Sequence, residues 1–391
     1  MQNNIVKLEK EQSNFLENIF NDFQKYDALF NRTKFNIKSS TFSNEEFEQI
    51  PSFYNYTDTI KETIKIMEKE VFNCAFQMYE RKVDLFIIIN KHQKDKENYI
   101  QNILRKTFMW LHTAHSYSDK SCSKQLYIYM FMTPALKLLP TNHSVLSQNN
   151  VNTAFTYTCK HDNEIHIFRE EEWFKVLIHE TFHNYNLDFS KVDNGYSDQF
   201  AKKIFNLSIE FRMYESYCEF WATILNCIYF LYFENKIKTK NFTKQINICI
   251  NKELEHSLFQ CSKILKHNGM RYEDLYSEKD NSAFARTYKY EEKTPIISYF
   301  FFKSILLFSC NDFLKWCMKN NKDSINFSNN TTNIYQKIED YANFIKNYAK
   351  DETFVKLINE SQDKLSQIIK KNSLSEIYNR RNLKLTTFDT T

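Results

Sequence analysis

The sequence predicts an α+β protein in which helix predominates, with a small mixed sheet placed directly ahead of a central helix. Three observations carry that expectation. Apolar residues recur at helical spacing through most of the chain, as at Phe15, Ile19, Phe23 and Leu29. Between Gln125 and Phe168 the texture changes to short runs rich in β-branched and aromatic residues. The stretch that follows, EEWFKVLIHETFHNYNLDFS over residues 171–190, holds an H-E-x-x-H arrangement among apolar neighbours.

Composition bounds the function classes. A chain of 391 residues can bury a large core, and 52 basic against 48 acidic residues leave a formal charge of only +4. That near-balance argues against a polybasic surface for nucleic acid or membrane. The 24 Tyr and 36 Phe, beside many Asn, Lys and Ile, read as coding bias of an AT-rich genome, not as stacking platforms. The opening MQNNIVKLEKEQ has no apolar run of the kind a secretory signal needs, so an intracellular, unsecreted protein is expected. Nine cysteines without a C-x-x-C pair then point to reduced thiols. The apolar runs at 220–233 and 295–310 fall short of the roughly 20 residues a membrane span requires, and read as buried core helices.

Taken in order, residues 1–120 read as an N-terminal helical region, 121–235 as the catalytic core and 236–391 as a C-terminal helical lobe. Residues 6–30 form a helix, 31–51 a polar linker, 57–90 helices broken near Val83, and 97–115 a further helix. His112 and His115 in the last of these have no partner at ligand spacing and are assigned to packing. Residues 126–132 read as a strand buried on both faces. Residues 152–159 and 164–168 read as strands joined by a turn at 160–163. The second of these runs into the central helix and is expected to offer its edge to an extended peptide. His161 and His166 are expected as turn and strand-surface residues. Gly195 should supply a positive-φ turn, followed by one long helical region over 198–233. The last third reads as helices at 242–267, 296–308, 312–320 and 334–369, with breaks at Asn268-Gly269 and Thr294-Pro295 and a frayed tail from Asn382 to Thr391.

The chemistry is concentrated in two places. Residues four apart on a helix lie on one face, so His179 and His183 can point at one ion while Glu180 falls beside it. This is the spacing of a peptidase zinc site, in which the glutamate takes a proton from an activated water. Such a site needs a third protein ligand. Glu215 and Glu219 in YESYCEFWA share a face in an otherwise apolar neighbourhood, an expensive placement unless something cationic meets them. Glu215 is assigned as the ligand and Glu219 as the carboxylate that orients an imidazole, in expectation His179; the reverse assignment stays open. The bland alternatives are solvated helix histidines and a carboxylate pair serving Arg212.

H-E-x-x-H followed by a Glu-x-x-x-Glu helix resembles the gluzincin metallopeptidases, among which thermolysin-type enzymes carry Glu-x-x-x-Asp and lethal-factor-like enzymes Glu-x-x-x-Glu. The resemblance implies a zincin-like core, one zinc ion held by His179, His183 and Glu215, Glu180 as base, Glu219 behind the ligands and a helical lobe across the cleft. The longer string NTAFTYTC, EEWFKVLIHETFHNYNLDFS and YESYCEFWATILN also resembles metallopeptidases of large nucleocytoplasmic DNA viruses, implying a host-cytoplasmic or virion location. The gap from His183 to Glu215 exceeds the shortest family spacings and no oxyanion motif follows, which leaves Tyr288, Tyr290 and Tyr299 around Pro295 as candidate donors. The expected function is zinc-dependent hydrolysis of a peptide or protein substrate. Its competitor is an inert zinc-binding structural or host-interaction protein of such a virus.

Overall fold

The computed structural model describes residues 5–142, 144–233, 241–327, 333–368 and 381–389. Six strands, β1 (Ile37–Thr41), β2 (Lys69–Met78), β3 (Arg81–Asn90), β4 (Gln125–Phe131), β5 (Ala154–Thr156) and β6 (Asp162–Ile167), form one sheet in the order β1-β2-β3-β4-β6-β5. β3, β4 and β6 run parallel, and the remaining neighbours are antiparallel. With 57% of the chain helical beside this mixed sheet, the fold is α+β with helix predominant.

The sheet is covered on both faces. Strand alternation sends Leu85, Ile87, Ile128, Met130, Ile165 and Ile167 into the main core, which they share with α1 (Lys10–Phe30), α4 (Lys96–Tyr117), α6 (Trp173–Asn184) and α8 (Met213–Phe233). Ile88, Phe131 and Phe168 point the other way, into a smaller cluster with Phe47 of α2 (Asn44–Glu48) and Ile60 and Ile64 of α3 (Asp58–Ile66). A short α5 (Gln148–Val151) leads into β5, and α7 (Asn194–Ala201) precedes α8. The last third adds α9 (Phe242–His267), α10 (Asp280–Tyr288), a π-helical turn at Ile297–Phe302 running into α11 (Lys303–Phe308), α12 (Cys310–Asn320), α13 (Ile334–Ala349) and α14 (Glu352–Ile368).

Several expectations are corrected. Residues 69–90, read as helix, are the β2–β3 hairpin. Ile87, Ile88 and Ile89 are all buried because both faces of β3 are covered, which erases the strand alternation. The turn carries Tyr79 at φ 53° where a glycine signal would normally stand. The break foreseen at Val83 therefore falls inside a strand. The polar linker contains β1, whose mostly exposed IKSST suits a sheet edge. β4 buries Leu126, Ile128 and Met130 but leaves Tyr127 and Tyr129 half-buried. Residues 198–233 divide into α7 and α8, with Arg212 at φ 47° directly before the second. Gly195 sits in the first turn of α7 without positive φ; Gly269, at φ 60°, is the glycine that supplies one. The helix read over 334–369 breaks at Lys350-Asp351, and Ile369 lies outside the described residues.

Cys122 and Cys159 form a disulfide, against the expectation of reduced thiols. The register explains it. Gln125 of β4 pairs with Asp162 of β6 in parallel, so the residues three positions before each strand stand side by side. The seven free cysteines are all buried. Among the described residues no single helix is long and apolar enough to cross a membrane. The apolar run Ile297–Phe308 is bent by 94° from Cys310–Asn320, and its Phe300, Phe301, Phe302 and Ile305 lie in the core.

The tail expected to fray from Asn382 onward is instead a packed segment as far as Asp389; Thr390 and Thr391 lie outside the described residues. Leu383, Leu385, Thr386 and Phe388 are buried. The backbone here is held by side chains from distant elements. Glu172 accepts from the N–H groups of Leu385 and Thr386, both at 2.6 Å, and Glu253 accepts from that of Thr387 at 3.0 Å. Lys263 and Lys303 donate to the carbonyls of Asn382 (2.7 Å) and Leu385 (2.6 Å). A polar sequence looks frayed when the groups that satisfy its backbone lie far away in the chain.

Candidate metal centre

α6 and α8 pack against each other and present their polar residues across the contact. His179 and His183, one turn apart on α6, face Glu215 in the first turn of α8. His179 Nε2 lies 3.0 Å from Glu215 Oε2, His183 Nε2 lies 3.3 Å from the same oxygen, and the two Nε2 atoms are 3.1 Å apart. Both helices start from a residue in the left-handed region, Glu172 at φ 63° and Arg212 at φ 47°. The acidic run Glu170 to Glu172 thus precedes α6 and does not form its first turn.

The far nitrogen of each ring is also engaged. His179 Nδ1 is 2.9 Å from Glu219 Oε1, and Lys175 donates to the other oxygen of that carboxylate. His183 Nδ1 meets the fully buried Asp188, which also accepts from Cys218 Sγ at 3.3 Å. Carboxylates on both Nδ1 atoms favour protons there, which turns both Nε2 lone pairs toward Glu215 Oε2. Three buried acceptors facing one another repel unless a proton or a metal cation joins them. Donors about 2.1 Å from a tetrahedral ion would stand about 3.4 Å apart, close to the spacings here. The donor set fits a metal ion.

The electrostatics follow from this crowding. Burial works to raise the Glu215 carboxyl, but the two imidazoles outweigh it and hold the group at about 2. Glu219 is likewise pushed up by burial and brought well down by Lys175 and His179. Burial pulls both imidazoles down, yet Glu215 and Glu219 raise His179, and Cys218, Asp188 and Glu215 raise His183. Glu180 is raised, chiefly by burial.

A cleft of about 550 Å³ opens over the three donors. Glu180 and Tyr299 line it, with Ala154, Phe155 and Thr156 of β5 along one side. The edge strand beside the cleft is β5. β6, expected in that role, lies between β4 and β5, because the hairpin places the shorter strand outermost. Of the candidate donors, Tyr299 lies with its ring centroid 6.2 Å from that of His179. Tyr290 also lines the cleft, but its hydroxyl donates to Glu292, a carboxyl raised by burial to about 8. Tyr288 is 74% exposed, its ring tilted against that of Phe284 at the end of α10, and does not line the cleft. A larger groove, about 870 Å³ between α9 and α14, contains none of these site residues.

The other histidines stay out of the site. His112 packs against Tyr26 and Phe108, and His115 stacks on Tyr79. His161 is an exposed turn residue. His166, expected on a strand surface, is fully buried between Tyr129 and Phe155, with Tyr56 Oη 2.7 Å from its Nδ1. The layer formed by α2 and α3 covers that face. Arg212 pairs with Glu210, leaving Glu215 and Glu219 to the histidines. Asp188 escaped the sequence reading; an acid five residues after the second histidine was its one local signal.

Comparison with protein-family models, curated proteins and solved structures finds no match to this chain.

Proposed function

We propose that the protein is a zinc-dependent metallopeptidase with a zincin-like, gluzincin-type core. The observation that carries this reading is the convergence of His179 Nε2, His183 Nε2 and Glu215 Oε2 within 3.3 Å, each imidazole backed by its own carboxylate, beside Glu180 in an open cleft. Two nitrogens and one carboxylate oxygen, with cleft space for a further ligand, suit catalytic zinc. Zinc bound there supplies Lewis-acid polarisation of a scissile carbonyl and lowers the pKa of a water.

The chain's own groups do the rest. Glu180, raised by burial and with no hydrogen-bond partner for its carboxyl among the described residues, accepts the proton of the attacking water and passes it to the leaving amine. Tyr299, whose phenol burial holds well above its ordinary value, stays protonated and donates to the developing oxyanion. The open edge of β5 pairs with an extended substrate by main-chain hydrogen bonds. Metal analysis with peptide-cleavage assays tests the reading. About one zinc per chain is expected, and Glu180→Gln should cut hydrolysis by about 10²–10⁴-fold while keeping the metal. Absence of stoichiometric metal, or undiminished cleavage by Glu180→Gln, sinks it. If chelation lowers stability but the wild type cleaves nothing, the ion is structural.

A further inference from the structure

Beside Glu180 the cleft leads into a small alcove of about 30 Å³, which shares Ala154, His179, Glu180 and Tyr299 with it. Val151, Val176 and Ala154 form apolar walls, and Leu385 of the terminal segment closes it. Apart from Glu180, the charged groups at its border are engaged, Glu219 by Lys175 and His179 and Lys137 by Glu172. Thr153, 3% exposed, also lines the alcove, and its hydroxyl is buried without a partner among the described residues.

Leu385 is not free to retreat. Its N–H donates to Glu172 and its carbonyl accepts from Lys303, each at 2.6 Å, and both of those side chains are buried. A space of this size admits a water or a methyl group. A branched or aromatic side chain would require Leu385 to move against those two charge-assisted bonds.

We propose that the alcove receives the substrate side chain next to the scissile bond and selects residues the size of alanine or serine, with Leu385 setting its depth and Thr153 favouring a hydroxyl. This rests on the metallopeptidase reading and names the substrate class that reading leaves open. A position beside the metal ligands and the base makes the alcove a filter on which bonds reach Glu180.

The test is calorimetric binding of dipeptide hydroxamates that differ only in the first side chain (Ala, Ser, Leu or Phe) to the zinc-loaded full chain. Ala and Ser should bind at least about tenfold more tightly than Leu and Phe. Leu385→Ala should bring Leu within a few-fold of Ala, Leu385→Met should keep the wild-type ranking, and Thr153→Val should remove the advantage of Ser over Ala. Leu or Phe binding the wild type as tightly as Ala overturns the proposal, as does an unchanged ranking in folded Leu385→Ala. If Leu385→Ala does not fold, Thr153→Val decides: a retained preference for Ser overturns the hydroxyl recognition. Failure of the metallopeptidase reading looks different, since the wild type would then retain no zinc and bind no hydroxamate.

Discussion

The Nδ1 atom of His183 is held by the carboxylate of Asp188, five residues further along the same stretch of chain. His179 is oriented from a separate helix, by Glu219. Asp188→Asn should therefore weaken zinc binding by about 10–100-fold while leaving the fold intact. Competition against a chromophoric chelator measures it, and unchanged affinity would deny Asp188 any orienting role.

In the proposed zinc site, protonation and metal compete for the same imidazoles. Burial lowers His179 and His183, but the surrounding carboxylates and Cys218 leave both raised above the ordinary histidine value. In the metal-free protein their stabilising contribution is complete below the unfolded pKa of about 6.5 and is lost as pH rises through the folded values. Zinc needs both rings neutral, so its affinity falls as pH falls. The difference in Tm between zinc-loaded and chelated protein should widen from about pH 6 to about pH 9. A constant or narrowing gap would contradict this order of events.

Glu253 is fully buried and accepts from the Thr386 hydroxyl and the Thr387 N–H. Glu253→Ala should cost about 3 kcal/mol, because it removes these bonds and one of the two carboxylates, Glu253 and Glu219, whose charge faces the buried Lys303. Urea unfolding reads the loss. A cost under about 1 kcal/mol would mean that Glu253 adds little to the hold kept on the terminal segment by Glu172, Lys263, Lys303 and its apolar side chains.

The Cys122–Cys159 bond closes a loop spanning 37 residues. Cys159→Ser should lower stability by about 2–4 kcal/mol relative to the oxidised protein. Identical denaturation midpoints for the two would show that the bond adds nothing to the fold.

Asp323 and Ser324 both occupy the left-handed region, at φ 53° and 63°. Ser324→Gly should gain about 1 kcal/mol by relieving that conformation, measurable as a higher denaturation midpoint. A lower midpoint would show that the serine side chain supports the turn.

That turn also shows what the sequence conceals. With only two glycines, the chain turns on Tyr79, Asp95, Glu172 and Arg212, none of which advertises a turn as glycine would. The β2–β3 hairpin was illegible for that reason, and because burial on both faces removes alternation. The centre was legible because four-residue spacing on a helix is a local property: His179 with His183 and Glu215 with Glu219 announce shared faces before any tertiary structure is known. Asp188 was not, since a lone acid in a loop carries no periodicity. The terminal segment was hidden most deeply, because its partners Glu172, Glu253 and Lys303 belong to other parts of the chain.

The distance between those partners sets a clock. Glu172, at the start of α6, and Thr386, whose N–H donates to it, are 214 residues apart. At about 5–20 residues per second, a ribosome needs roughly 10–40 s to travel between them. During that interval the nascent chain already carries both histidines and Glu180, while the wall that Leu385 provides has yet to be made.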